Sequence, residues 1–124
     1  MSVSTNLVRI MTEAEKYKAL VLIDYWQEQF PVAFPKKPAP KVPLKIGIGQ
    51  PYDMLFLASY SVGATQSDIQ NALHLWCRGR RYWQSFKVNK YRYSVLGHIE
   101  QLITEKDVSF ARFKLRTWIY GYGE

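Results

Sequence analysis

Pro43-Leu44-Lys45-Ile46-Gly47-Ile48 is the stretch on which the reading of this chain turns. It is a short alternating apolar segment, and it closes a run, 30–43, that holds Pro31, Pro35, Pro38, Pro40 and Pro43. Proline fixes φ and lacks an N–H, so this density forbids both a helix and a central strand. The backbone of the run is expected to be extended and to display Lys36, Lys37 and Lys41. Leu44 to Ile48 would then anchor a basic arm to a core that helices on either side supply.

Upstream, Thr12 with Glu15 forms a capping-box pattern that opens a helix. Ala19, Leu22, Ile23, Trp26 and Phe30 recur at helical spacing as one buried stripe, and Pro31 ends it. Downstream, Pro51 suits the first turn of a second helix over Tyr52 to Tyr60, broken by Gly63. Thr65 with Asp68 caps a third, whose inner face is Ile69, Ala72, Leu73 and Trp76 and whose outer face is Gln66, Gln70 and His74. After Gly79 a short helix or turn holds Arg80 to Phe86. Lys90 to Val95 alternates as a half-buried strand of a small hairpin, with Lys90, Arg92 and Ser94 on one face. Thr104 with Asp107 caps a final helix striped by Val108, Ala111 and Leu115. The pattern is mainly α with one small β-hairpin. We divide it into an N-terminal extension (1–11), one domain (12–120) and a short tail (121–124).

The chain has 124 residues, a net charge of +7 and a pI near 9.6. Where the charge lies is more informative than its size. Lys36, Lys37, Lys41 and Lys45 fall in one acid-free stretch, and Arg78, Arg80, Arg81, Lys87, Lys90 and Arg92 fall in another, Ile69 to Ile99. These hold ten of the seventeen Lys and Arg, so the remainder is net acidic. Tyr82, Trp83, Phe86, Tyr91 and Tyr93 are interleaved with the second set. Cations beside aromatics suit a polyanion with unpaired bases better than a lipid surface. No apolar stretch could span a bilayer, the N-terminus shows no secretory pattern, and the single Cys77 can form no internal disulfide. A cytoplasmic protein is expected.

Enzymatic signatures are missing. HExxH, GxSxG and the phosphate-loop pattern do not occur, the glycines form no phosphate cradle, and the acids are scattered or used as caps. We therefore expect no catalytic residue, metal or cofactor. Arg78 beside Cys77 could lower the thiol pKa, but a small residue closing a helix is the simpler reading. Two rival readings remain open. His74 and His98 could cleave RNA by acid–base chemistry if they met. The helices flanking Gly63 imitate a helix-turn-helix, with Gln66 and Gln70 placed to read adenine, although that second helix carries no Lys or Arg.

The PLKIGI stretch after a helix ending in Phe30-Pro31 resembles the signature of the ProQ/FinO family of RNA chaperones. Ala72-Leu73-His74-Leu75-Trp76, Arg81-Tyr82, Arg92, and Val108 with Ala111-Arg112 and Leu115 follow in the family's order, so the resemblance spans about 20–116. It implies a compact, mainly helical FinO-like domain that binds small RNAs and mRNA 3′ regions, favouring terminator hairpins with a single-stranded 3′ tail. It further implies protection of those ends and pairing between RNAs. Lys45, Arg81, Tyr82, Arg92 and Arg112 match the family's RNA face. Arg78, Arg80, Lys87 and Lys90 join them on local charge. Tyr82, Arg81, Arg92 and the helix N–H groups near Gly79 would hold the terminal nucleotide, and Tyr82 and Arg92 should matter for RNA rather than for stability. Gln66, Gln70 and His74 depart from relatives that carry cations there, which moves stem contacts toward Arg78 and Arg80. A monomer without a membrane partner is expected.

Overall fold

The first helix shows why sequence reading succeeds locally. The Thr12 hydroxyl accepts from the Glu15 N–H (3.1 Å) and the Glu15 carboxylate accepts from the Thr12 N–H (2.9 Å), which satisfies two donors that a helix start leaves unpaired. In the computed structural model, which describes residues 10–119, this opens α1, Glu13–Gln29. The helices that follow are α2, Met54–Ser61, α3, Gln66–Cys77, α4, Arg80–Val88, and α5, Glu105–Ile119; β1, Tyr91–Tyr93, and β2, Ile99–Leu102, lie between α4 and α5. Residues 1–9 of the assigned extension and the tail at 121–124 lie outside the described residues.

Both other capping boxes form as expected, at Thr65/Asp68 and Thr104/Asp107. The stripe of α1 is buried throughout, with Ala19 and Trp26 fully enclosed. It packs chiefly on α3, whose Ile69, Ala72 and Trp76 are buried. The Trp26 indole N–H donates to the Ser59 hydroxyl (2.8 Å), which in turn donates to the Leu55 carbonyl, so α2 is tied to α1 by a satisfied buried polar pair.

Three expectations need correction. The second helix begins at Met54, because Tyr52 takes φ +76° in a turn and Asp53 becomes the N-cap. The proline-rich arm is not extended throughout. The Phe34 N–H returns to the Phe30 carbonyl (2.9 Å) and the Ala39 N–H to the Lys36 carbonyl (3.0 Å), which makes two turns. The first turn drives Ala33 and Phe34 into the core, where Phe34 sits between Trp26 and Trp76 at centroid distances of 4.9 and 5.2 Å. Ile46 is exposed, since residues 46–49 turn, and only Leu44 and Ile48 anchor the segment.

The anchor is itself sheet-like. Lys45 donates to the Tyr93 carbonyl and Tyr93 to the Pro43 carbonyl (both 2.9 Å), so Leu44 bridges β1 in parallel. On its other edge β1 pairs antiparallel with β2, with a bulge between Arg92 and Tyr93. Gly97, at φ +86° in the hairpin turn, lies where any Cβ would sit 2.6 Å from the Val32 side chain. Only glycine allows the hairpin to close on the arm.

Candidate nucleic-acid interface

The arm, α1 and the α3–α4 junction enclose a groove of about 510 Å³. Lys16 comes from α1, Lys36, Lys37 and Lys41 from the arm, Arg78 from the C-cap of α3, and Arg81 from α4. Its lining includes no Asp or Glu, and Leu20, Ile23, Leu75 and Trp76 are its apolar members. A second cleft of about 440 Å³ shares Lys41 and Arg81 and adds Lys87, Gln84 and Ser85. The basic surface therefore continues from α1 across the arm onto α4.

Specific contacts position these cations. Lys41 donates to the Trp76 carbonyl (2.8 Å) with its ammonium 4.0 Å from the Trp76 ring centroid. Arg81 donates to the Ala39 carbonyl, which clamps the arm to α4. Lys36 pairs with Glu28 at 2.9 Å, and the hydrogen bond and charge of Lys36 hold the Glu28 carboxyl below the usual range. Gly79, the N-cap of α4, supplies no side-chain cap, so the first N–H groups of that helix have no capping oxygen from it. An anion is the natural complement at such an end.

The sequence-derived candidates do not form one cluster. Arg78, Arg81 and Lys87 line the two basic clefts. Arg80 at the start of α4, Lys90 before β1 and Arg112 on α5 are exposed. Lys45 pairs with Asp53 at 3.2 Å in a small cleft that shares no residue with the groove. Arg92 does not sit on an open basic strand face: it donates to the Leu44 carbonyl (2.9 Å), pairs with Asp107 (3.3 Å) and lies 4.9 Å from the Phe86 ring centroid. Burial pushes the Asp107 carboxyl up, but the Thr104 N–H and Arg92 together outweigh this and hold it low.

Tyr82 requires the largest revision. It is 4% exposed, its ring edge meets Trp83 and Phe86, and its hydroxyl accepts from the buried Leu44 N–H (3.1 Å). The expectation that it is dispensable for stability conflicts with this placement. Burial pushes its hydroxyl far above the ordinary tyrosine range, and burial likewise pushes the adjacent Cys77 thiol up to about 12. A lowered thiol pKa beside Arg78 is thus reversed by desolvation. His74 and His98 are both exposed, on α3 and in the hairpin turn, and among the described residues no group of three His, Cys, Asp or Glu could hold a metal. No described helix is long and apolar enough to cross a membrane.

Sequence reasoning left Lys16, Lys36, Lys37 and Lys41 off the site. The acid-free arm signalled three of them. Lys16 gave no signal, since it sits in an N-terminal turn with Glu13 and Glu15 and joins the groove only by packing.

Comparison with known proteins identifies the family and the fold. The family model described as ProQ/FINO matches residues 16–118. A ProQ homologue from Legionella pneumophila superposes with a TM-score of 0.67 at 24% identity, covering 94% of this chain and 93% of that one. A FinO-like RNA chaperone from Neisseria meningitidis gives 0.65 at 18% identity, covering 86% and 80%. These likenesses establish the FinO-like fold. No curated protein matches the sequence.

Proposed function

We propose that this chain, which belongs to the ProQ/FINO family, is an RNA-binding protein that holds structured RNA along its basic groove and has no catalytic activity. The observation that carries the reading is the convergence of Lys16, Lys36, Lys37, Lys41, Arg78 and Arg81, from three separate chain segments, on a groove with no acid in its lining. Like charges gathered in one groove repel one another, and although Glu28 offsets Lys36, a polyanion relieves the cost that remains. Arg78 and Arg81 supply planar multi-donor contacts to phosphate, and Lys87 extends the track.

The preferred RNA is a hairpin with a short single-stranded 3′ end, as in small RNAs, mRNA 3′ regions and intrinsic terminators. Its terminal phosphate would meet the uncapped start of α4 at Gly79. Arg80, Lys90 and Arg112 give outlying contacts. Tyr82, Arg92 and Lys45 support the site by fixing the PLKIGI segment against α4, β1 and α2. Protection of RNA ends and pairing of RNAs follow as the regulatory outcome, performed by a monomer in the cytoplasm.

Affinity for a terminator hairpin, measured by fluorescence anisotropy across a salt series, tests this. Four to six phosphate contacts give a log–log slope of roughly −3 to −5. A slope near zero, or preference for the same hairpin made as DNA, would refute the reading, because an A-form binder that senses the 2′-hydroxyl should favour RNA.

A further inference from the structure

A second surface lies on the opposite side of α4. Arg81, Ser85 and Val88 turn toward the basic clefts, while Trp83, two residues from Arg81 and about 200° around the helix, packs against α5. There the Trp83 ring meets Phe110 edge-on at 5.4 Å, and Phe110 neighbours Phe113 at 6.3 Å with an interplanar angle of 32°. Both phenylalanines are half exposed, at 52% and 51%. They stand three residues apart, on one face of the helix. The Lys114 ammonium lies 5.9 Å from both the Trp83 and the Phe110 ring centroids. From Val108 to Ile119 the helix carries Arg112, Lys114 and Arg116 and no acid.

We propose that Phe110 and Phe113, backed by Trp83 and flanked by Lys114, form a stacking platform for unpaired RNA bases, separate from the groove that holds duplex phosphates. The proposal rests on the RNA-binding reading above. Its occupant follows from charge. An apolar partner face gains nothing from Lys114 and Arg116 beside the rings, since the acids of this helix, Glu105 and Asp107, stand in its first turn and Asp107 is paired with Arg92. A single-stranded polyanion offers π-faces for the rings and phosphates for the cations in one ligand. α2 is the contrast: its exposed Met54, Leu57 and Tyr60 are accompanied by no Lys or Arg in that helix. With both surfaces occupied, α4 would separate a held duplex from a splayed strand, the arrangement needed to offer unpaired bases to a second RNA.

The test uses the whole chain and two RNAs: a blunt hairpin without unpaired flanks, and single-stranded oligoadenylate of about eight nucleotides, within the usual site size of a stacking groove. Adenine is chosen for its large π-face. Phe113→Ala and Phe110→Ala should each weaken oligoadenylate binding about fivefold or more, the lower end of what one stacked base contributes, and leave the blunt hairpin unaffected. Phe113→Leu keeps the apolar bulk and should lose nearly as much as Ala, while Phe113→Trp should bind at least as well as the unmodified chain. Both sites are half exposed on a helix, so thermal melts should stay close to wild type. Equal oligoadenylate binding by the unmodified chain, Phe110→Ala and Phe113→Ala overturns the platform. So does a Phe113→Leu variant that binds normally, or a change in the RNA-free sedimentation coefficient in Phe113→Ala, which would make this face a contact between copies. Failure of the unmodified chain to bind the blunt hairpin strikes the groove reading instead, and oligoadenylate binding that depends on Phe113 would still support the platform.

Discussion

Tyr82→Phe separates a structural tyrosine from a ligand-contacting one. The substitution removes one oxygen and keeps the ring, so the edge contacts to Trp83 and Phe86 at 5.2 and 5.3 Å survive. What is lost is the acceptor for the Leu44 N–H, at 3.1 Å in a region where Tyr82 and Leu44 are 4% and 2% exposed. A buried donor left unpaired costs about 1–3 kcal/mol. For a domain of this size each kcal/mol moves Tm by roughly 3–6 °C, so Tyr82→Phe should melt roughly 3–18 °C below wild type. Tyr82→Ala, which also empties an aromatic position, should cost about 3–5 kcal/mol. Circular-dichroism melts give Tm, amide exchange should show weaker protection at Leu44, and hairpin-RNA affinity is measured at a temperature where both proteins are folded. Affinity should change less than about threefold, since the groove cations keep their places. The reverse pattern, a wild-type melt with affinity lost tenfold, would refute the reasoning and place the hydroxyl on the RNA.

Other perturbations probe separate links. Ser59→Ala strands the buried Trp26 indole N–H and should cost about 1–3 kcal/mol by denaturant unfolding. Gly97→Ala combines a left-handed φ with a 2.6 Å approach to Val32 and should cost roughly 1 kcal/mol or more, read as a lowered Tm. Asp107 has a depressed carboxyl pKa in the fold, so its contribution is present above the ordinary carboxylate value of about 3.9 and is lost as pH falls through the lower folded value. Acid unfolding should therefore show a smaller stability loss below about pH 4 in Asp107→Asn than in wild type, against a lower starting stability at pH 7.

What could be read from the chain was local. The three capping boxes, the buried stripe of α1 and the inner face of α3 depend on spacings of three and four residues, which a helix turns directly into faces and caps. The acid-free stretches were equally visible, because excluding negative charge from a segment is a property of composition. The PLKIGI order and the motifs behind it identified the family before any coordinate. Contacts between distant segments had no such signal. Arg78 and Lys16 meet across a groove only because α1 packs on α3. Phe34, read as part of an extended arm, enters the core because the chain turns after Pro31.

Tyr82 and Arg92 mark the boundary most clearly. Aromatic and basic residues interleaved along a chain are what an RNA-binding face requires, and they are also what a small domain uses to lock a hairpin onto a helix. Composition cannot separate the two, since burial and partnership are decided by which segments fold against each other. Here the Leu44 N–H claims the Tyr82 hydroxyl, and the Leu44 carbonyl with Asp107 claims the Arg92 guanidinium. The sequence by itself determined the helices to within a turn, three of their caps, the family and the sign of the surface. Only the tertiary structure decided which cations and rings stay available to a ligand, because desolvation and hydrogen-bond pairing are properties of packed neighbours rather than of residue order.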